Sequence, residues 1–353
     1  PVDIPTSSSE DVKSVSIPPE VPMSRRIDLT RAPAIVEEWV GREDFLEALN
    51  QDWGNPQCHL TSVIGFGGEG KSSLARKWVE SLQRDSTLPQ PDGVFWWGFY
   101  EHPTIEEFFD AIFEYLDLQD INPAQLTSVE AKAKTIQAMR GRYLFVLDGL
   151  EVLQEQAGDD YGLLKDRNLC NFLRIFADGN HESFCLLTSR FPVLDLVDFT
   201  TYHQREIGAL DHDAGIELLQ KIGIKGTDQQ LAEVVRDWGA YALSLRWIGT
   251  YLMDTHRGNV KRVREIPRPD KNEPVYERLQ KVLQSYDSYI TQAEQEFLKV
   301  FSLFRLPVVA SIALNQVFAE DGTAGYIPPT ITPPDPVTKL IRNLKRTWDW
   351  LLR

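Results

Sequence analysis

Residues 58–83, CHLTSVIGFGGEGKSSLARKWVESLQ, restrict the possible folds more than any other stretch of this chain. An apolar, β-rich run ends at Ile64. Gly65-Phe66-Gly67-Gly68-Glu69-Gly70-Lys71-Ser72 then fits the phosphate-binding pattern GxxxxGK[ST], with Ser73 directly after it. Beyond the loop, Leu74, Ala75, Trp78, Val79 and Leu82 repeat at helical spacing. Strand, loop and helix thus occur in the order the pattern requires. The residue types follow from the chemistry. Backbone N–H groups must converge on a phosphate, a bulky side chain would block its approach, and glycine permits positive φ. The helix N-terminus adds partial positive charge. In this pattern Lys71 reaches the β- and γ-phosphates, and the Ser72 hydroxyl ligates Mg²⁺.

The rest of the chain alternates around this centre. A buried strand is expected over 93–100. Thr104 and Glu107 form a capping box for a helix carrying Phe108, Phe109, Ile112, Phe113 and Leu116. A polar helix is expected over 128–140 and a strand over 143–148, ending in Asp148. A loop with Gly158, Asp159, Asp160 and Gly162 precedes a helix near 166–177. Strands over 183–188 and 202–207 complete the pattern. Such alternation implies an α/β P-loop domain, a parallel sheet with helices on both faces. From Asp211 onward the pattern is helical. Thr227 and Gln230 form a second capping box ahead of Leu231, Val234, Val235 and Trp238, and Gly239 stops that helix. Tyr241, Leu245, Ile248 and Leu252 mark the next. Past a proline-bearing stretch at 262–274, helices are expected around Phe297–Phe304, near 310–319, and around Leu340–Leu351. Residues 1–34, rich in Pro and Ser, read as a linker or extended arm.

Composition narrows the class. With 353 residues, 42% hydrophobic and 25% charged, the chain reads as soluble, with two or three cores. No apolar run approaches the roughly 20 residues that span a bilayer. The start is polar and carries no signal peptide or initiator Met, so the chain reads as a piece of a longer, cytoplasmic protein. Cys58, Cys170 and Cys185 have no ligand spacing and read as free thiols in a reducing compartment. The six histidines show no metal pairing, and the net charge of −15 argues against a nucleic-acid partner.

Four further features carry chemistry. Asp148, at the C-terminal end of a core strand, can hold Mg²⁺ through water beside the loop. Gly149 follows, where many hydrolytic P-loop enzymes place a water-orienting Glu. The nearest acid, Glu151, either reaches a water across a bent backbone or stabilises a helix start through the dipole. Slow hydrolysis is the implication. Arg190 ends a strand expected beside that of Asp148; it either contacts a γ-phosphate or lies on a surface loop. Val40-Gly41-Arg42 forms either an adenine rim, with Val40 backbone groups on the base, or a plain turn before a helix. Trp96 and Trp97 read as core.

Taken in order, these motifs resemble the signal-transducing ATPases with numerous domains, the STAND NTPases, in their NB-ARC-like bacterial branch. The matching features are VGRE at 40–43, GFGGEGKSS at 65–73, VFWWGFY at 94–100 and LFVLDGLE at 144–151. LLTSR at 186–190, LDHDAGIELL at 210–219 and WGAYALSLRWIGTYL at 238–252 continue the series. The resemblance implies a P-loop nucleotide-binding domain over 35–208, a small helical domain over 209–268 and a winged-helix-like domain over 269–353, complete or truncated. It implies adenine contacts near Val40 and Arg42, phosphate contacts from the loop through Ser73, and magnesium near Ser72 and Asp148. Arg190 takes the place of the family's sensor arginine. Ala242 falls where relatives often carry a proline packed on adenine, so the base is held more loosely, or by Leu243 and its neighbours. No His occurs in 257–353, where relatives often sense the ADP β-phosphate.

The function implied is an ATP/ADP-dependent switch in a bacterial signalling or defence protein. It would rest with ADP, hydrolyse slowly, hinge near 209–211 and 257–272, and self-associate when opened by ATP. An N-terminal effector and a C-terminal sensor would act in cis. The rivals are a steadily cycling ATPase or kinase, and a winged-helix DNA-binding regulator using Lys339, Arg342, Lys345 and Arg346.

Overall fold

The computed structural model describes residues 26–116, 141–267 and 281. Six parallel strands form one sheet: β1 (Arg26–Asp28), β2 (Leu60–Ile64), β3 (Gly93–Gly98), β4 (Tyr143–Asp148), β5 (Phe184–Ser189) and β6 (Tyr202–Glu206). Their order is β1-β3-β4-β5-β2-β6, so β5 lies between the phosphate-loop strand and the strand that ends in Asp148. The register pairs Ile64 with Ser189 and Leu147 with Leu187. Gly65, Asp148 and Arg190 therefore emerge together at the carboxyl edge, the usual ligand edge of an open α/β sheet.

Strands β2 to β5 are buried along their whole length. Helices cover both faces, so both sides of each strand must be apolar. The period of two sorts the side chains. Phe95, Trp97 and Phe145 face a core shared with α3 (Ile105–Tyr115) and α4 (Arg167–Asp178). Val94, Trp96 and Val146 face the opposite core, with α1 (Glu43–Gly54) and α2 (Lys71–Arg84). Trp96 and Trp97 are thus both core, on opposite faces. In the second core Trp53 and Trp78 meet edge to face, and each indole N–H has a partner: Pro89 O at 2.7 Å and Asn50 Oδ1 at 2.9 Å. A third core joins α5 (His212–Ile222), α6 (Asp228–Trp238), α7 (Ala242–His256) and the 3-10 turn Val260–Glu265, and it includes Val40.

Two sequence expectations need correction. The arm expected over 1–34 contains β1, whose three residues pair with β3 through Arg26 and Gly93, Ile27 and Val94, and Asp28 and Phe95. A three-residue edge strand has no detectable period; main-chain pairing and the Tyr115 hydroxyl, donating to Arg26 O at 2.7 Å, hold it. At α3 the Thr104 side chain makes no cap bond, and Glu107 lies 3.5 Å from His102 instead. The Thr227–Gln230 box, by contrast, has both of its halves. The helix expected over 128–140, the winged-helix-like segment 269–353 apart from residue 281, and its basic residues lie outside the described residues. No helix among the described residues is long and apolar enough to cross a membrane.

At the far end of the sheet from the phosphate loop, Asp52 fastens α1 to β2 and β6. It accepts Thr61 Oγ1 at 2.9 Å, His203 Nδ1 at 2.7 Å, and Arg205 Nε and Nη2 at 2.6 Å each. With Cys58 this brings together three metal-ligand types, which the sequence spacing did not suggest. Both carboxylate oxygens are already engaged by Arg205, so the group acts as an ionic clamp. Burial alone would raise the Asp52 carboxyl, but bonds from Arg205, His203 and Thr61 outweigh it and hold the pKa below the usual range. The stabilisation is therefore present above the unfolded carboxylate value, about 3.9, and is lost as pH falls through the folded one. We expect Asp52→Asn to cost about 2 kcal/mol at neutral pH, less than a fully buried pair because Arg205 and His203 are partly exposed. Urea unfolding at pH 7 and pH 3 checks this: the difference between variant and parent should shrink at the lower pH.

Candidate functional site

The phosphate loop leaves β2 at Gly65, whose N–H donates to Ser189 O at 3.2 Å. Gly68 and Gly70 have φ of 93° and 92°, which L side chains rarely adopt. Gly70 stands at the N-terminus of α2, and Lys71 begins the helix. Lys71 is 7% exposed and donates through Nζ to Gly65 O at 2.8 Å and Phe66 O at 3.0 Å. Its burial lowers the ammonium pKa; Glu151, Glu69 and Asp148 act against that, and Arg190 adds to it.

Ser72 Oγ donates to Asp148 Oδ1 at 2.7 Å. Thr188, on the intervening strand β5, donates to the same oxygen and accepts the Gly149 N–H at 2.9 Å. Burial pushes the Asp148 carboxyl up to about 6, with the Thr188 and Ser72 hydroxyls opposing. Thr188 was not singled out from sequence, although it lies in the LLTSR run. Phe66 points outward, 69% exposed, whereas Glu69 is buried with Oε2 unpartnered. Burial raises the Glu69 pKa; the Phe66 amide, Lys71 and Arg42 act the other way.

Glu151 and Arg190, far apart in sequence, form one cluster. Arg190 Nε lies 2.9 Å from Glu151 Oε1. The Tyr100 hydroxyl donates to that same oxygen and accepts Arg190 Nη2 at 3.0 Å. Glu151 is buried, in the first turn of the short 3-10 helix Leu150–Leu153. The Arg190 guanidinium lies over the loop, 3.4 Å from where a Cβ on Gly67 would stand. Tyr100 is the residue that sequence reading missed here. The strand was expected to run to 100, but β3 stops at Gly98, and the turn swings Tyr100 toward the site.

Beside the loop lies a cleft of about 60 Å³, lined by Val40, Arg42, Glu69, Gly70, Ser73, Ile207, Leu210, Ala242 and Arg246 among others. It brings together the turn before α1, the loop and the helical core. Three further residues singled out from sequence lie around it. The Arg42 guanidinium is turned to backbone carbonyls, those of Ile207 and, at 2.6 Å, Gly208. Gly41 packs against Ala214 of α5. Leu243 is buried in the helical core and does not line the cleft; one helical step from Ala242 turns it about 100° away.

The residues present fit a nucleotide phosphate with Mg²⁺. The Ser72 hydroxyl and Asp148 carboxylate are hard oxygen donors already within bonding distance of each other, and would hold the ion. When bound, the ion neutralises phosphate charge. The glycine-rich turn presents amides at a helix N-terminus, and Lys71 needs only to exchange carbonyl partners for phosphate oxygens.

A family model for the NB-ARC domain matches residues 42–229, more than half of the chain. The chain belongs to the NB-ARC family. It is a nucleotide-binding P-loop core of the ATPase class, as the ordered motifs implied. A WD repeat-containing protein of Nostoc sp. is 22% identical over 284 residues, covering 77% of this NB-ARC chain and 22% of the relative. The chain thus spans about a fifth of that curated relative's length. Among solved structures, a STAND protein with a tetratricopeptide repeat sensor from Pyrococcus horikoshii aligns at TM-score 0.53 and 16% identity. That alignment covers 94% of this chain and 41% of the other, and it supports the fold. A Walker-type ATPase of Pyrococcus abyssi aligns at TM-score 0.44 and 17% identity, covering 91% and 93%.

Proposed function

We propose that this NB-ARC core is an ATP/ADP-dependent switch, closed over ADP at rest and opened by exchange for ATP. One observation carries the reading: the cleft beside the phosphate loop lies where the sheet meets the helical core. Residues 36–42 are tied to the helices, through Arg246 to Glu38 Oε2 at 2.9 Å and Lys221 to Trp39 O at 2.6 Å. Arg42 is tied to the connection leaving β6. A ligand filling the cleft would touch both parts and bias their relative placement. The connection at 209–211 is the hinge we favour. The other hinge, proposed at 257–272, extends past the described residues.

In this reading the base lies against Val40 and Ala242, the phosphates lie in the loop from Phe66 to Ser73, and Mg²⁺ lies at Ser72 and Asp148. Arg190 discriminates triphosphate from diphosphate, and Glu151 serves as a displaced and slow general base. The whole protein would place an effector and a sensor in cis with this core, and self-association would follow opening. The relatives' WD and tetratricopeptide repeats motivate the sensor.

The test is to denature the purified protein and identify the nucleotide released. Bound ADP is the expected finding; protein that is empty and takes up ATP only weakly would defeat the closed resting state. Glu151, buried beside Arg190 with one oxygen free, lends the cycling ATPase its best support. A turnover on the order of 1–10 per second would favour that rival.

A further inference from the structure

The position where many P-loop hydrolases carry a glutamate is closed in this protein. Gly149 has φ of 81°, and the ring of Tyr100 lies directly over it. A Cβ on residue 149 would stand 2.5 Å from Tyr100 Cδ2 and 2.8 Å from Cε2. Backbone conformation and ring together exclude a side chain there. The same tyrosine holds the acid two residues later. Its hydroxyl donates to Glu151 Oε1 and accepts from Arg190 Nη2 at 3.0 Å, and Arg190 Nε closes the triangle at 2.9 Å from Glu151. Glu151 Oε2 is buried and has no partner.

We propose that Tyr100 is a positioning residue that presents Glu151 and Arg190 to the phosphate loop as one unit, in place of a glutamate at 149. This rests on the nucleotide reading above and adds a residue to it. One guanidinium cannot serve Glu151 and a terminal phosphate equally well. When Arg190 turns to the phosphate, the Tyr100 hydroxyl is the remaining donor that keeps Glu151 in place, its free oxygen available to a water. Without that hydroxyl, Glu151 depends on Arg190 alone, and a triphosphate must break that pair to gain the guanidinium. Tyr100 stays a neutral donor throughout, because burial, and then Glu151, raise its pKa well above the ordinary value.

Tyr100→Phe keeps the ring on Gly149 and removes only the hydroxyl. Its affinity for ADP should stay within about twofold of the parent. Affinity for a non-hydrolysable ATP analogue should fall about tenfold, the size of one charge-assisted hydrogen bond, and phosphate release should fall similarly. Equilibrium titration with fluorescent nucleotides on the whole chain reads the first two quantities. Where it folds, Gly149→Ala, whose Cβ would push the ring and with it the hydroxyl away from Glu151, should lower the same triphosphate-to-diphosphate affinity ratio. A purely structural role would weaken both nucleotides together. If either folded variant keeps the parental ratio and rate, Tyr100 has no such role. If the parent protein binds neither nucleotide, the nucleotide reading falls first and this inference with it.

Discussion

Lys71→Ala should lower ADP and ATP affinity by about 10²- to 10³-fold. The lysine is buried and meets only two loop carbonyls in this structure. Those bonds are exchanged, not added, when a phosphate arrives, so the full gain of ammonium against phosphate is not realised. Even so, one or two charge-assisted bonds of about 1.5–3 kcal/mol each are lost, and every 1.4 kcal/mol is tenfold. Removing the side chain also leaves the carbonyls of Gly65 and Phe66 to find water. The nucleotide-free variant should therefore be only slightly less stable than the parent. The contrast appears with ligand. Ligand at a hundred times its dissociation constant stabilises the parent by about 2.7 kcal/mol, and the variant at that concentration should gain under half as much. Thermal melts with and without ADP measure both terms. Undiminished nucleotide retention in Lys71→Ala would remove the foundation of the switch reading.

The sheet was readable because its strands are buried on both faces and are punctuated by glycine and by helix caps. YLFVLD and FCLLTS have no other plausible home than a covered sheet. The phosphate loop was readable because its requirements are local: glycines, a lysine and a hydroxyl at fixed spacing. What escaped depends on distant partners. β1 is too short to carry a period and is held by main-chain bonds to β3. Arg42 lines the cleft, but the bonds of its guanidinium to carbonyls some 165 positions away have no trace in its local sequence. Glu151 left two readings open in sequence, and its burial beside Arg190 and Tyr100 came from three loops meeting at one sheet edge. No spacing encodes that meeting. Asp52 and its partners, Thr61, His203 and Arg205, were invisible for the same reason.

Glu151→Gln separates the two roles left open for that residue. Glutamine keeps the shape and offers an amide oxygen where Oε1 now accepts from Tyr100 and Arg190. Nucleotide affinity should therefore change by no more than about threefold. A glutamine cannot take a proton, so if Glu151 orients and deprotonates water, phosphate release should fall about 100-fold, the low end for a general base. The alternative is a carboxylate whose only task is to hold Arg190. In that case the neutral amide would release the guanidinium, triphosphate affinity would rise relative to ADP, and the rate would hold. The two outcomes move different quantities, which makes the substitution decisive in a way that Glu151→Ala, with its cavity and its orphaned Tyr100 and Arg190, is not. Loss of rate with retained affinity is the result that the geometry favours. The free and buried Oε2 is a costly feature for a residue serving only as an anchor, and it is the atom that a base would present to water.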